Sequence, residues 1–237
     1  MRGSFEWFVR ERSMKILWYL LEEVRVIRER DPAIKSKYEA LLYPGLRAVV
    51  CYRIAHGLYK RKHYFLARWI SQRVAVRTGI EIHPGAKIGR GLFIDHGSGV
   101  VIGETAIIGN NVTLYQGVTL GGTGKEKGKR HPTLKDNVMV SAGAKILGSF
   151  TVGEGSKIGA GSVVLKAVPA NSTVVGVPGR IVKIGEKKIH RNELDHGNLP
   201  DPVFNDIKEL RDENVFLRER VEKLEGIVSK GNSNEIK

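Results

Sequence analysis

An aliphatic side chain recurs at every sixth residue between positions 82 and 164, with two interruptions. Two extra residues follow Ile94, and eight extra residues follow Leu120. A helix would need a period of about 3.6, so this pattern is not helical. It is typical of a triangular solenoid, in which three short strands form one coil and each aliphatic residue stacks on those of neighbouring coils. Thirteen residues keep the register: Ile82, Ile88, Ile94, Ile102, Ile108, Leu114, Leu120, Leu134, Val140, Ile146, Val152, Ile158 and Val164.

Small residues follow many of these positions by four, where a tight corner is expected. The second interruption, residues 121–133, is glycine-rich and basic and leaves the coil; such an excursion usually carries function or oligomer contacts. The solenoid is expected to end after Pro169, and we assign residues 80–184 to the β-helix domain. The small residues are Ala86, Ser98, Ala106, Ala144, Ser156 and Ser162.

Residues 14–79 are predicted to form a helical domain. Apolar residues from position 17 to 27 have helical spacing, and Asp31-Pro32 predicts the N-terminus of a second helix. Further helices are predicted after Pro44-Gly45 and from about Phe65 to Thr78. Residues 1–13 precede a second methionine and carry no functional assignment.

Residues 185–203 have the composition of a linker, residues 204–230 contain heptads, and residues 231–237 form a tail. Every g residue would meet an opposite charge at the next e position of a parallel, in-register partner, which predicts a coiled coil. Asn214 at an a position favours two strands. The a positions are Ile207, Asn214, Val221 and Val228, and the d positions are Leu210, Leu217 and Leu224.

The net charge of +14 is dispersed along the chain. We interpret it as attraction for a polyanionic small molecule and expect no nucleic-acid partner. No apolar run reaches the roughly 20 residues of a membrane span. A single cysteine, Cys51, excludes an internal disulfide and, without an export signal, favours the cytoplasm. Cys51 lies in an apolar helical stretch, where we expect a small buried side chain.

Three pairs of residues have the composition of a catalytic site. A histidine beside a carboxylate can act as a general base, and an arginine can bind a carboxylate through two hydrogen bonds. Each pair alone is compatible with ordinary turn chemistry; together, beside the two interruptions, they predict a site. The pairs are Asp95-His96, Glu81 with His83, and Arg130-His131.

The chain resembles the serine O-acetyltransferases of the left-handed β-helix acyltransferase superfamily over residues 15–183. The resemblance rests on RDPA at 30–33, AVVCYRIAHGLY at 48–59, IDHGSG at 94–99, GGTGKEKGKRHP at 121–132 and VVGVPGRIV at 174–182. It implies acetyl transfer from acetyl-CoA to the hydroxyl of L-serine, with no tightly bound cofactor and no metal. The expected fold class is α+β: an N-terminal α-helical domain, a hexapeptide-repeat left-handed parallel β-helix and a C-terminal coiled-coil helix.

The resemblance also implies residue roles. His96 aligns with the general base, and Glu81 stands where the family usually has an aspartate that orients this base. Asp31 and Asp95 align with the carboxylates that bind the substrate amino group. Arg130 and His131 align with groups at the substrate carboxylate.

Acetyl-CoA is expected along the edge of the coils, where small residues admit its pantetheine arm. Backbone N–H groups near the start of the excursion are candidate oxyanion donors, and two lysines could meet the phosphates. Solenoid corners need small residues in any case, so this prediction is open. The residues are Gly121, Gly122, Thr123, Ala142, Gly143, Ala160, Gly161, Lys157 and Lys166.

Family members are trimers with sites between neighbouring subunits. A three-fold core would favour a three-stranded coil over the dimer that Asn214 prefers; a dimeric coil that joins two trimers is the alternative. The resemblance implies cysteine as a feedback inhibitor. It does not predict a stable complex with cysteine synthase, because the terminal isoleucine of many members is here the penultimate residue, Ile236, before Lys237.

Three other functions compete with this interpretation. An acetyltransferase of the same fold could act on another hydroxyl, such as that of a sugar. A γ-type carbonic anhydrase would need three histidine ligands, but no two histidines among His83, His96 and His131 are five apart. A structural oligomerisation module would need neither the RDPA segment nor Asp95-His96.

Overall fold

The computed structural model describes residues 19–36, 38–124, 127–185, 210–221 and 223. The chain divides into two compact units, Met1–Leu199 and Pro200–Lys237. The first unit contains a helical region and a β-solenoid, and the second contains a helix. Residues 1–13, most of the predicted linker and the tail lie outside the described residues.

The helical region contains α1 (residues 19–30), a short 3₁₀ helix (Glu39–Leu42), α2 (Pro44–Lys60) and α3 (Tyr64–Thr78). Pro44 opens α2, where its missing N–H costs no hydrogen bond. Gly79 ends α3 in the left-handed conformation, with φ of 70°. The prediction that a helix begins at Asp31-Pro32 is wrong. The Asp31 carboxylate accepts the N–H of Ala33 at 2.8 Å, as an N-cap would, but residues 32–33 form only a turn.

Each of the thirteen periodic aliphatic residues lies in its own strand, which confirms the predicted register. Twelve of them are buried, and Ile88 packs against the same core. The strands are β1 (Ile80–Ile82), β2 (Lys87–Ile88), β3 (Phe93–Ile94), β4 (Val100–Ile102), β5 (Ile107–Ile108), β6 (Thr113–Leu114), β7 (Thr119–Gly121), β8 (Thr133–Leu134), β9 (Met139–Val140), β10 (Lys145–Leu147), β11 (Thr151–Val152), β12 (Lys157–Ile158) and β13 (Val163–Val164).

Parallel pairing builds three sheets, which we name A, B and C. Sheet A has the order β1-β4-β7-β10-β13, and sheet B contains β2, β5, β8 and β11. Sheet C contains β3, β6, β9 and β12. The pairing shows where each coil is lengthened. Val101 pairs with Thr119, one regular coil of eighteen residues, whereas Ile80 pairs with Val100 and Thr119 with Lys145. The two interruptions therefore extend the coil locally without shifting the strands above and below.

The prediction that the solenoid ends after Pro169 is wrong, because parallel strand pairing continues beyond it. Strand β14 (Ser172–Val175) pairs in parallel with β12 on sheet C, and β15 (Arg180–Ile184) returns antiparallel to it. The antiparallel strand ends the parallel stacking of sheet C. The helical region packs at the opposite end, where side chains of α2 and α3 bind carbonyl groups of the first coil. Tyr52 donates to Ala86 at 2.6 Å, and Ser71 donates to Ile82 at 2.7 Å.

The second unit contains α4, residues 210–221, in which every side chain is exposed. The C-terminal helix is therefore confirmed over these residues, whereas its pairing into a coiled coil stays a prediction. Within the described residues, no helix is long and apolar enough to cross a membrane.

Candidate active site

Most of the predicted site residues lie at two corners of the solenoid, on either side of sheet A. The C–A corner comprises the segments that lead from sheet C to sheet A, and it carries Asp95 and His96 between β3 and β4. The A–B corner comprises the segments that lead from sheet A to sheet B, and it carries Arg130 and His131 between β7 and β8.

His96 lies within the two-residue insertion at the C–A corner. It adopts the left-handed conformation, with φ of 54°, which is uncommon for a residue with a side chain. The adjacent Gly97 is buried, and a Cβ at this position would lie only 2.5 Å from Cδ1 of Ile80. Ser98, one of the small residues expected at a tight corner, is exposed. The insertion thus presents the imidazole outward, with 73% of the His96 side chain exposed.

Asp95 is the carboxylate that contacts His96. Its Oδ2 lies 3.9 Å from Nε2 of His96, and its Oδ1 accepts the backbone N–H of His96 at 2.9 Å. Glu81 lies on β1, in register with Val101 on sheet A. Among the described residues, no hydrogen bond or ion pair joins Glu81 to His96, so the orienting role of Glu81 stays a prediction.

Asp31 is brought to the same corner as Asp95. The hydroxyl of Tyr43 donates to Oδ2 of Asp31. Burial raises the pKa of Tyr43, and the negative charges of Asp31 and Asp95 raise it further. The segment is held by Arg30, whose buried guanidinium donates to Oγ1 of Thr113 on β6 at 2.9 Å. The two carboxylates predicted to bind an amino group therefore share one acidic region.

Arg130 is fixed at the A–B corner by a carboxylate that the sequence did not single out. Its Nη2 lies 2.5 Å from Oε2 of Glu104. Tyr59 of α2 donates to the other oxygen of Glu104 at 3.0 Å. The hydrogen bond from Arg130 lowers the pKa of Glu104, so the carboxylate stays ionised and holds the guanidinium in place.

Thr105 organises the end of the excursion. Its hydroxyl oxygen accepts the backbone N–H groups of Arg130 at 3.0 Å and His131 at 3.1 Å. The backbone N–H of Thr105 donates to Nδ1 of His131 at 3.2 Å. A backbone amide can only donate, so Nδ1 accepts and the proton of the neutral imidazole lies on Nε2. Burial and the charge of Arg130 lower the pKa of His131, which favours this neutral form.

His83 lies beside this cluster, one coil from Glu104. Burial, together with the positive charge of Arg68, lowers the pKa of His83 to about 4. Its Nδ1 accepts the N–H of Gly85 at 3.0 Å. His83 is therefore a neutral member of the A–B corner rather than a partner of the exposed His96.

The candidate acetyl-CoA residues separate into two groups. Ala142-Gly143 and Ala160-Gly161 lie at the C–A corner in successive coils, where the N–H of Gly161 donates to Ala142 at 2.9 Å. A Cβ at Gly161 would meet nothing within 4 Å, so the corner is open on its outer side. Gly121, Gly122 and Thr123 lie at the A–B corner, at the end of β7. Lys157 lies on sheet C, and Lys166 is exposed beyond β13, so one copy does not bring the two lysines together.

The sequence did not identify three residues that bind the basic half of the site: Tyr59, Glu104 and Thr105. The register could have indicated Glu104 and Thr105, because Ile82 pairs with Ile102 and Ile102 with Leu120, which places the residues after them at one corner. Tyr59 gave no such signal, since it reaches the corner from α2 by tertiary packing.

The two halves of the candidate site do not meet within one copy. In the part of the chain described here, no hydrogen bond or ion pair links Asp31, Asp95 or His96 to Glu104, Arg130 or His131, and sheet A lies between the two corners. No cluster of three or more His, Cys, Asp or Glu side chains that could hold a metal occurs among the described residues.

Known proteins share this sequence over most of its length. Residues 131–166 match the family described as bacterial transferase hexapeptide (six repeats). Serine acetyltransferase of Bacillus subtilis is 61% identical over 204 residues, which cover 86% of this chain and 94% of that protein. The chain belongs to the serine acetyltransferase family. A family member from Bacillus licheniformis is also 61% identical, over 87% of this chain and 95% of its own length.

Solved serine acetyltransferases share the fold. One, in complex with cysteine, is 42% identical with a TM-score of 0.76, over 80% of this chain and 74% of that one. The enzyme of Brucella abortus with coenzyme A is 45% identical, with a TM-score of 0.71, over 74% of this chain and 71% of that one. The enzyme of Neisseria gonorrhoeae with serine is 43% identical, with a TM-score of 0.70, over 77% of this chain and 75% of that one.

Proposed function

We propose that this chain transfers the acetyl group of acetyl-CoA to the side-chain hydroxyl of L-serine, giving O-acetyl-L-serine and CoA. The observation that carries the proposal is that the chain presents one acidic corner and one basic corner, on either side of sheet A. A zwitterionic amino acid needs an anionic contact for its ammonium group and a cationic contact for its carboxylate. Asp31 and Asp95 supply the first, and Arg130, held by Glu104, supplies the second.

The reaction follows from these positions. The imidazole of His96 accepts the proton of the serine hydroxyl while the hydroxyl oxygen attacks the thioester carbon. The tetrahedral oxyanion is stabilised by backbone N–H groups at Gly121 and Gly122. The carbon–sulfur bond then breaks, and the imidazolium returns the proton to the departing CoA sulfur. Glu81 would orient the imidazole for both transfers.

We propose that each site forms between two copies of the chain. Proton transfer from the serine hydroxyl to His96 would benefit from exclusion of water, but within one copy the His96 side chain is largely exposed. An A–B corner from a neighbouring copy would cover it and add Arg130 and His131. A ring of three copies supplies such contacts with closed symmetry, because each copy presents both corners.

Coenzyme A and cysteine are assigned by family likeness. The bound CoA of the Brucella abortus enzyme supports acetyl-CoA as the acyl donor. We place it along the C–A corner at Ala142-Gly143 and Ala160-Gly161, with Lys157 of one copy and Lys166 of its neighbour toward its phosphates. The cysteine-bound relative supports cysteine as an inhibitor at the serine position, where the same acidic and basic groups would bind its ammonium and carboxylate.

The test is CoA release with L-serine and with a panel of other hydroxyl compounds that includes sugars. Wild-type turnover should be selective for L-serine. Arg130→Ala should raise the KM for L-serine about a hundredfold, the value of a charge-assisted double hydrogen bond. Lys135→Ala, an exposed cation at a different corner, is the matched control and should match wild type. Serine turnover unchanged by Arg130→Ala, or faster turnover of a sugar, would overturn the assignment.

A further inference from the structure

The helix α4 presents an apolar stripe that nothing in its own helix covers. Leu210, Leu217 and Val221 are at least half exposed, with 63%, 51% and 51% of each residue accessible. They fall at heptad d, d and a positions on one face, and Asn214 completes the stripe. An amphipathic helix gains most of its stability from packing of this face, so the stripe needs a partner.

The charges beside the stripe identify the partner. A charged residue of a single helix can be paired by an opposite charge three or four residues away on the same helix. Of the six charged e and g residues, only Arg218 has such a neighbour, Glu222. Glu213 is flanked at these distances by Glu209, Leu210, Phe216 and Leu217, none of them cationic. The six residues are Asp206, Arg211, Glu213, Arg218, Arg220 and Glu225.

These charges complement one another only across two parallel copies in register. The g residue of one copy then faces the e residue of the following heptad in the other. Glu213 meets Arg218, and the sequence repeats the match for Asp206 with Arg211 and for Arg220 with Glu225. An antiparallel arrangement would instead pair g with g and e with e. Some of those pairs would then have like charges, so the complementarity would be lost.

We propose that α4 associates with α4 of other copies of this chain as a parallel, in-register coiled coil. Leu210, Leu217 and Val221 form its core, Asn214 fixes its register, and Glu213 pairs with Arg218 of the next helix. The partner is the chain itself, since the same residues provide both sides of every charge pair. This association goes beyond acetyl transfer and does not depend on it.

Cysteine cross-linking of the full-length chain tests register and face together. In a Cys51→Ser background the introduced cysteine is the only one. Leu217→Cys, at a core d position, should form disulfide-linked pairs of chains under mild oxidation, because core residues of a parallel pair lie within disulfide range. Val215→Cys, on the outer face of the same helix, is the matched control and should stay largely monomeric on a non-reducing gel.

Charge exchange provides the second arm. In the Leu217→Cys chain, Glu213→Arg or Arg218→Glu alone should slow cross-linking about fivefold through like-charge contacts. The double exchange restores opposite charges and should restore the rate. Equal cross-linking at positions 215 and 217, no rescue in the double variant, or mixed Leu210→Cys to Val221→Cys disulfides, which pair a d with an a position as in an antiparallel coil, would overturn the proposal. CoA release with serine, measured alongside, reports separately on the proposed function.

Discussion

The imidazole ring of His131 lies where the side chain of any residue other than glycine at position 103 would begin. A Cβ on Gly103 would be 1.9 Å from Cδ2 and 2.1 Å from Nε2 of that ring. Gly103 does not have a positive φ, so this glycine is required for space rather than for backbone conformation. The close approach packs the ring against β4 and fixes the basic half of the candidate site.

Gly103→Ala is therefore expected to displace His131 and, with it, Arg130. A displacement of about 1 Å at a substrate-positioning group can cost about a hundredfold in rate, so kcat/KM for L-serine should fall by that factor. Steady-state CoA release measures the loss. Gly57→Ala is the control, since a Cβ on this helical glycine meets nothing within 4 Å. Wild-type activity in Gly103→Ala would show that the position of His131 is unimportant.

Thr105 gives a sharper test of the same half-site. Thr105→Val removes the hydroxyl that accepts the N–H groups of Arg130 and His131, leaving two donors unsatisfied. The expected effect is at least about a tenfold rise in the KM for serine. Thr105→Ser keeps the hydroxyl and should retain most of the wild-type affinity. If the serine variant lost as much as the valine variant, packing of the methyl group rather than hydrogen bonding would be responsible.

The shifted pKa of His83 predicts how stability depends on pH. The pKa is about 4 in the folded protein against 6.5 for an ordinary histidine. Between these values the unfolded chain binds more protons, so the folded state loses stability as pH falls from 6.5 to 4. His83→Gln removes this contribution.

The comparison is the difference in thermal unfolding midpoint between wild type and His83→Gln at about pH 7.5 and about pH 4.5. The advantage of wild type should shrink by a few degrees at the lower pH. Taking the difference cancels other titrating groups, such as the buried Glu23, whose pKa burial raises to about 7. His63→Gln, a substitution of an exposed histidine, is the control. A difference that does not change with pH would contradict the assigned burial of His83.

The solenoid could be predicted in detail because its physics is periodic. Each coil repeats the environment of the last, so one inward residue fixes the positions of the others, and Ile82, Ile102 and Leu120 do stack in register. The helix expected at Asp31-Pro32 does not form, although the Asp31 carboxylate accepts the N–H of Ala33 as an N-cap would. The other carboxylate oxygen accepts a hydrogen bond from the hydroxyl of Tyr43. The second contact involves a residue twelve positions away that no local pattern reveals.

The site was predictable in its residue types and less so in its contacts. The interruptions pointed to Asp95, His96, Arg130 and His131, and the structure places them at two corners beside sheet A. The register indicates that Glu104 and Thr105 lie at the A–B corner. The eight inserted residues remove Arg130 and His131 from that register, so their contacts with Glu104 and Thr105 could not be deduced by counting. The sequence also did not show that the acidic and basic halves of the site lie at different corners. That separation becomes visible only once the strands are assigned to the three sheets.

Mixing two impaired variants, at an L-serine concentration near the wild-type KM, tests the shared site most directly. His96→Ala chains keep Arg130, and Arg130→Ala chains keep His96. If one copy supplies His96 and its neighbour supplies Arg130, random assembly of equal amounts restores about one quarter of the sites. CoA release with L-serine should then rise to about a quarter of the wild-type value in samples unfolded and reassembled together. Activity no greater than that of the two variants assembled separately would contradict a site built from two copies of the chain.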